Sequence, residues 1–326
     1  MNVGIVGAGA IGGLLGTRLA AAGARVCAVA RGATAAALRQ HGWRLETQAG
    51  MTTAPALVAE DAAALGPQDL VIVAVKAPAL RGAVPAIAGL MGPHTAVLTA
   101  MNGVPWWFFH GLPGAYANQA LASVDPDGAI AAAIPAERVV GTVVHLACST
   151  PEPGLVRHGV GNRLIVGEPS GARTARVERI AVLLRDGGFD TEVSARIQAD
   201  IWYKLWGNMT MNPVSALTGA TLDRILDDPL VNAFCLGVMR EAAAIGAAIG
   251  CPIAQSGEER NAITRKLGAV RTSMLQDVEA GRPVEIDALL ASVREIGARA
   301  GIATPGMDAL FGLARLHART RGLYPL

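Results

Sequence analysis

The sequence predicts an α/β fold in which an N-terminal doubly wound parallel sheet is followed by an all-helical C-terminal domain. Three observations predict it. Short, nearly unbroken apolar runs alternate with Ala/Leu-rich helical stretches over residues 1–195, a glycine cluster separates the first run from the first helix, and long helical patterns take over in 196–326. Parallel strands are buried on both faces, so they need continuous apolar runs of this kind and not an alternating pattern.

Residues 1–6 are apolar and β-prone, and 11–22 read as a helix that Gly23 stops in the C′ position. Residues 25–30 form a second buried run and complete a β-α-β unit of about thirty residues. The runs 69–75, 95–100 and 139–146 continue the set, and a helix over 174–185 leads through Gly187-Gly188 to a strand near Thr191. Helical patterns then cover 198–217, 229–250, 258–280, 285–301 and 305–320. The expected division is 1–195 and 196–326, with a substrate cleft between the two parts.

Composition narrows the class of function. Apolar residues make up 52% and charged residues 17%, which supplies an ample core and excludes wholesale disorder. A net charge of +2, with the arginines dispersed, points to neither a nucleic acid nor an anionic membrane as partner. Cys27, Cys148, Cys235 and Cys251 are far apart and lack paired Cys/His spacing, so no disulfide and no metal site is expected, in keeping with a cytoplasmic protein. The apolar start lacks the basic leading segment of a signal peptide. Residues 82–124 carry no charge, but Pro85, Pro93, Pro105 and Pro113 break them up and argue against a membrane span.

Gly7-Ala8-Gly9-Ala10-Ile11-Gly12 is a G-x-G-x-x-G placed where a strand passes into a helix, the context in which the pattern marks a dinucleotide site. Gly7 suits the tight turn, Gly9 the approach of a pyrophosphate and Gly12 the packing of helix on sheet. The second run ends in Ala30-Arg31-Gly32 with no carboxylate to hold ribose hydroxyls; an arginine there suits a 2′-phosphate, so NADP(H) is the expected cofactor.

The chain contains 25 arginines but only three lysines, Lys76, Lys204 and Lys266. A partly desolvated lysine can donate a proton, which arginine does not readily do. Lys76 follows an apolar run on the carboxyl edge of the sheet, where ligands of open α/β folds bind, and Asn102-Gly103 occupies the same edge one strand later. Lys204, Asn208 and Asn212 recur at every fourth position within KLWGNMTMNP and so share one helix face. Carboxamides set among Trp202, Leu205, Trp206, Met209 and Met211 need polar partners, and a polar ligand would supply them. Pro213 is expected to kink or end that helix. Farther on, Ser273 and Glu285 flank a break marked by Gly281 and Pro283, an arrangement that can bring both to one site.

Taken together, GAGAIG, the strand-end Lys76, Asn102-Gly103, KLWGNMTMNP and SMLQDVEAGRPVEID resemble the ketopantoate reductase family over residues 1 to about 315. The resemblance implies a Rossmann domain joined to a helical domain, bound NADPH, and reduction of the small 2-oxo acid ketopantoate to D-pantoate, a step towards pantothenate and coenzyme A. It places Lys204 on the family's general acid and Glu285 on the carboxylate that contacts cofactor or substrate and helps orient the lysine. Asn208, Asn212 and Ser273 fall on substrate-gripping positions, and Asn102 on one near both nicotinamide and substrate. Gly7, Ala8, Gly9, Ala10, Ile11, Gly12, Arg31 and Lys76 fall on cofactor positions, as does Ala147, just past the 139–146 strand.

Two features depart from the family pattern. The run Val104-Pro105-Trp106-Trp107-Phe108-Phe109 is bulkier than a pocket for a small branched hydroxy-acid calls for, and 217–222 lacks a further amide, so either can reshape the pocket. Competing readings are a related NADP-dependent reductase of another 2-oxo acid or carbonyl compound, and a non-catalytic NADP-binding sensor. The sensor has no need of Lys204, Asn208, Ser273 and Glu285 together. Apolar helices such as 229–250 can serve a homodimer.

Overall fold

The computed structural model describes residues 1–326, which form two compact units: 1–101 with 128–200, and 102–127 with 201–326. Residues 102–127 belong to the second unit and not to the first. The reason is apolar burial. Trp106, Trp107, Phe108 and Phe109 are all buried, and Phe108 packs on Trp202 of the helical unit with ring centroids 5.9 Å apart. The aromatic run that stood out as too bulky for the pocket is buried in the core.

The first unit is built on strands β1 (Asn2–Val6), β2 (Arg25–Val29), β3 (Trp43–Thr47), β4 (Gly50–Ala54), β5 (Leu57–Ala59), β6 (Leu70–Val73), β7 (Ala96–Thr99), β8 (Val139–Glu152), β9 (Leu155–Gly167) and β10 (Asp190–Val193). Its helices are α1 (Ala10–Ala21), α2 (Gly32–His41), α3 (Ala77–Gly89), α4 (Ala129–Ala133) and α5 (Ala175–Asp186). Six strands run parallel in the order β5-β2-β1-β6-β7-β8, with every residue of β6 and β7 buried. The order reverses between β1 and β6, and this switch point leaves a crevice at the carboxyl ends of the strands.

The expected parallel sheet is present and is extended on one flank into a mixed one. Strands β8 and β9 form a long antiparallel hairpin with register shifts, and β3 pairs antiparallel with β4. This part carries exposed residues on one side, so its sequence lacks the continuous apolar signature that revealed the central strands.

The second unit comprises 102–127 and α6 (Ile197–Thr218, from residue 201 onward), α7 (Leu222–Asp227), α8 (Pro229–Ala248), α9 (Gly257–Arg265), α10 (Ser273–Glu279), a π-helical turn (Asp287–Ala291), α11 (Ser292–Arg299) and α12 (Pro305–Thr320). Helix α6 runs through Pro213, which forfeits one backbone bond without ending it. The pattern read as a single helix over 258–280 is two, because Gly268 takes a positive φ of 71° and the Thr272 hydroxyl caps α10 at the Leu275 amide. Helix α8 is long and apolar enough to cross a membrane; its Cys235, Val238, Met239, Ala242, Ile245 and Gly246 are buried in the unit.

Candidate active site

In the first unit the glycine turn joins β1 to α1. Gly7 has φ 98°, and a Cβ there would lie 2.7 Å from the backbone of Ala74 and Val75, just beyond β6. A Cβ on Gly12 would strike the Gly7 carbonyl oxygen, whereas one on Gly9 would meet nothing within 4 Å. Gly7 and Gly12 are thus glycine for the fold of the turn. Gly9, exposed at the N-cap of α1, is glycine without a fold-internal reason. Open space before the positive end of a helix fits a pyrophosphate, with Ala8, Ala10 and Ile11 supplying the adjoining backbone.

Arg31 is exposed as the N-cap residue of α2, at the carboxyl end of β2. Lys76 is the half-buried N-cap residue of α3, three positions beyond β6. Ala147 lies within β8 and not after it, exposed and in register with Val160, because the strand continues as the hairpin arm to Glu152.

In the second unit two indoles set the rotation of α6. Trp202 Nε1 donates to the Ala242 carbonyl (3.2 Å) and Trp206 Nε1 to that of Met239 (2.7 Å), both on α8. Gly246 makes room for Trp202, since a Cβ there would collide with the indole nitrogen. Lys204 and Asn208 each follow one of these tryptophans by two residues, about 200° around the helix, so they face away from α8.

On that face Lys204 Nζ donates to Asn102 Oδ1 at 2.8 Å. Burial pulls the lysine pKa down from 10.5 to about 8, opposed by the charge of the Glu285 carboxylate. Glu285 is itself buried, at 7% exposure. Asn102 is held by its successors: Gly103 has φ 83°, its missing Cβ would lie 2.5 Å from the Ala288 carbonyl oxygen, and the Val104 amide donates to that same oxygen at 2.8 Å. The structure therefore groups Lys204, Asn102 and Glu285. Asn208 is half-buried and Asn212 buried on the same helix, while Ser273 stands exposed as the first residue of α10.

The sequence reading did not find Ala288 or the π turn that carries it. An apolar-rich π turn has nearly the residue pattern of an α-helix, so no local signal marked it.

Chemically, a cation of lowered pKa with an amide acceptor and a nearby carboxylate can donate a proton to an oxygen on which negative charge develops.

Comparison with known proteins shows the family. Residues 3–171 match the family model described as ketopantoate reductase PanE/ApbA, and 196–318 match its C-terminal counterpart. A 2-dehydropantoate 2-reductase from Mesorhizobium japonicum is 44% identical over 325 residues, covering 99% of this chain and 100% of that protein. A crystal structure from Ralstonia solanacearum MolK2, described provisionally as a ketopantoate reductase, is 61% identical with a TM-score of 0.96 and 99% coverage of both chains. A D-mandelate dehydrogenase crystallised with NADH and anilino(oxo)acetate shares the fold at 21% identity, with a TM-score of 0.82 and coverage of 99% of this chain and 100% of that one.

Proposed function

The chain belongs to the ketopantoate reductase family, and from that premise we propose that it reduces 2-dehydropantoate to D-pantoate with NADPH in the cytoplasm, towards pantothenate and coenzyme A. The observation that carries the proposal is the Lys204–Asn102 contact at 2.8 Å on an ammonium whose pKa is drawn down to about 8.

Bound NADPH supplies the hydride that reaches the ketone carbon. Lys204 delivers a proton to the carbonyl oxygen as charge builds there, an interaction stronger in the transition state than in the ground state. At pH 7 an amine with a pKa near 8 is mostly protonated, yet a stronger acid than an ordinary lysine. Asn102 fixes the direction of the ammonium, and Glu285 keeps it protonated against the cost of burial. Asn208, Asn212 and Ser273 hold the substrate carboxylate and hydroxyl by hydrogen bonds. Gly7, Gly9, Gly12 and the start of α1 would hold the pyrophosphate, Arg31 would take the 2′-phosphate, and Lys76 and Ala147 would add further cofactor contacts. The same reading includes a homodimer, for which the exposed Leu230 and Phe234 of α8 are an apolar surface.

The test is NADPH oxidation with ketopantoate measured beside a panel of other 2-oxo acids. The highest kcat/KM should fall to ketopantoate. A tenfold or greater preference for another 2-oxo acid would reassign the substrate, and tight NADPH binding with no turnover on any of them would make the protein a sensor.

A further inference from the structure

The short stretch that carries Glu285 is gripped at both ends by residues that the family match, ending at residue 318, does not reach. The Val284 amide donates to the Leu323 carbonyl at 3.3 Å. The Tyr324 hydroxyl donates to Asp287 Oδ1 at 2.6 Å. Positions 284 and 287 bracket Glu285, so two consecutive residues after α12 hold the backbone just before the carboxylate and a side chain just after it. The strap is itself anchored: Leu323 is buried and its amide donates to the Ala318 carbonyl at 2.8 Å, while the Tyr324 ring lies under the Arg319 guanidinium at 5.6 Å.

What the strap holds is an unusual piece of backbone. Asp287 opens the π turn, in which one added residue per turn rotates the following side chains by about 100° relative to an α-helix. Such a turn lacks the stability of an α-helical turn and persists where tertiary contacts impose it. The next residue of the same turn, Ala288, receives at its carbonyl the Val104 amide two residues after Asn102. One local geometry thus sets both groups that face Lys204, the carboxylate and the amide.

We propose that Leu323 and Tyr324 form a strap that positions Glu285 against Lys204, with Tyr324 and Asp287 acting as positioning residues that do not touch the substrate. The inference rests on the reading of Lys204 as proton donor and Glu285 as its charge partner. The Asp287 carboxyl is pushed up by burial, and the Tyr324 hydroxyl is pushed up to about 12 by burial and by its bond to Asp287. Arg315 of α12 faces both groups and Arg319 faces Tyr324, while the charge facing Lys204 is Glu285. Removing the hydroxyl leaves a half-buried carboxylate without its donor, and the π turn must shift to satisfy it.

The experiment compares Tyr324→Phe, Asp287→Ala, Asp287→Asn, the Tyr324→Phe/Asp287→Ala pair and Glu285→Gln in the full chain. For each, kcat is followed from pH 6 to 10, with NADPH affinity and Tm measured alongside. In Tyr324→Phe the alkaline limb of kcat should slide to lower pH, giving a loss of roughly 3- to 10-fold at pH 9 and little at pH 6.5, with NADPH affinity unchanged; half to one pKa unit corresponds to that factor. Asp287→Ala should do the same, the pair should be no worse than either single change, and Asp287→Asn, which keeps an acceptor for the hydroxyl, should retain the original limb. A lowered Tm with the limb in place, or shifts that add in the pair, would overturn the strap. If Glu285→Gln leaves both kcat and limb unaltered, the charge-partner reading itself fails. If Glu285→Gln moves the limb and neither Tyr324→Phe nor Asp287→Ala does, the strap alone is wrong.

Discussion

The ammonium of Lys204 reaches the side-chain oxygen of Asn102 at 2.8 Å across 102 positions of sequence. The contact joins the residue expected to carry the chemistry to the first residue of the segment that the helical unit takes over. A lysine alone on a helix face would be an ordinary solvated cation. Bound to an amide and drawn down to about 8 by burial, it is a group poised to give up a proton.

Lys204→Ala should lower kcat by about 10²- to 10⁴-fold while NADPH affinity changes less than about 3-fold, because the lysine serves the ketone and not the phosphates. Single-turnover reduction together with a fluorescence titration of NADPH separates the two effects. A variant that keeps near-normal kcat would remove Lys204 from the role of acid.

The pH dependence has a definite sign. Reduction needs the protonated lysine, so kcat should be flat below about pH 8 and fall above it. Stability runs the other way. The folded-state pKa of about 8 lies below the ordinary 10.5, so between these values the unfolded chain holds more protons and the folded state gains stability as pH rises. The penalty for charging the buried amine is fully present below pH 8 and gone above 10.5. Urea unfolding of Lys204→Met and of the unaltered protein should therefore show the variant's advantage at pH 7 shrinking by pH 10. An advantage that does not change with pH would contradict the lowered pKa.

Two glycines of the same turn should respond differently to the same substitution. Gly12→Ala drives a methyl into the Gly7 carbonyl and should cost several degrees of Tm along with cofactor binding. Gly9→Ala meets nothing within 4 Å, so Tm should stay within about 2 °C while NADPH affinity drops at least 10-fold. Thermal melts with and without NADPH read both. Equal behaviour of the two variants would mean that Gly9 does not face the pyrophosphate.

Arg31→Ala removes an exposed guanidinium at the end of β2 and should weaken NADPH by about 10-fold or more with NADH nearly unaffected. Isothermal titration with the two cofactors gives the ratio directly. Parallel losses would show that Arg31 does not recognise the 2′-phosphate.

Some of this architecture is written in local pattern. The β1-α1-β2 unit, the buried β6 and β7, the glycine turn and α12 could be read directly, because strand burial, helix periodicity and turn chemistry act over a few residues. Lys204 and its asparagines could be read for the same reason, since every fourth residue of a helix shares a face. Other features have no local signature. Half-exposed β3, β4 and β9 lack a continuous apolar run, and the Trp106–Phe109 aromatics read as a change to the pocket until Trp202 packs on Phe108. Which amide would meet the lysine, and that a π turn held by Tyr324 would carry the ground beside Glu285, depend on contacts between residues 37 to 184 positions apart. Those contacts arise from packing of whole elements, whose burial energy is shared by many side chains and leaves no trace in the spacing of any few neighbours.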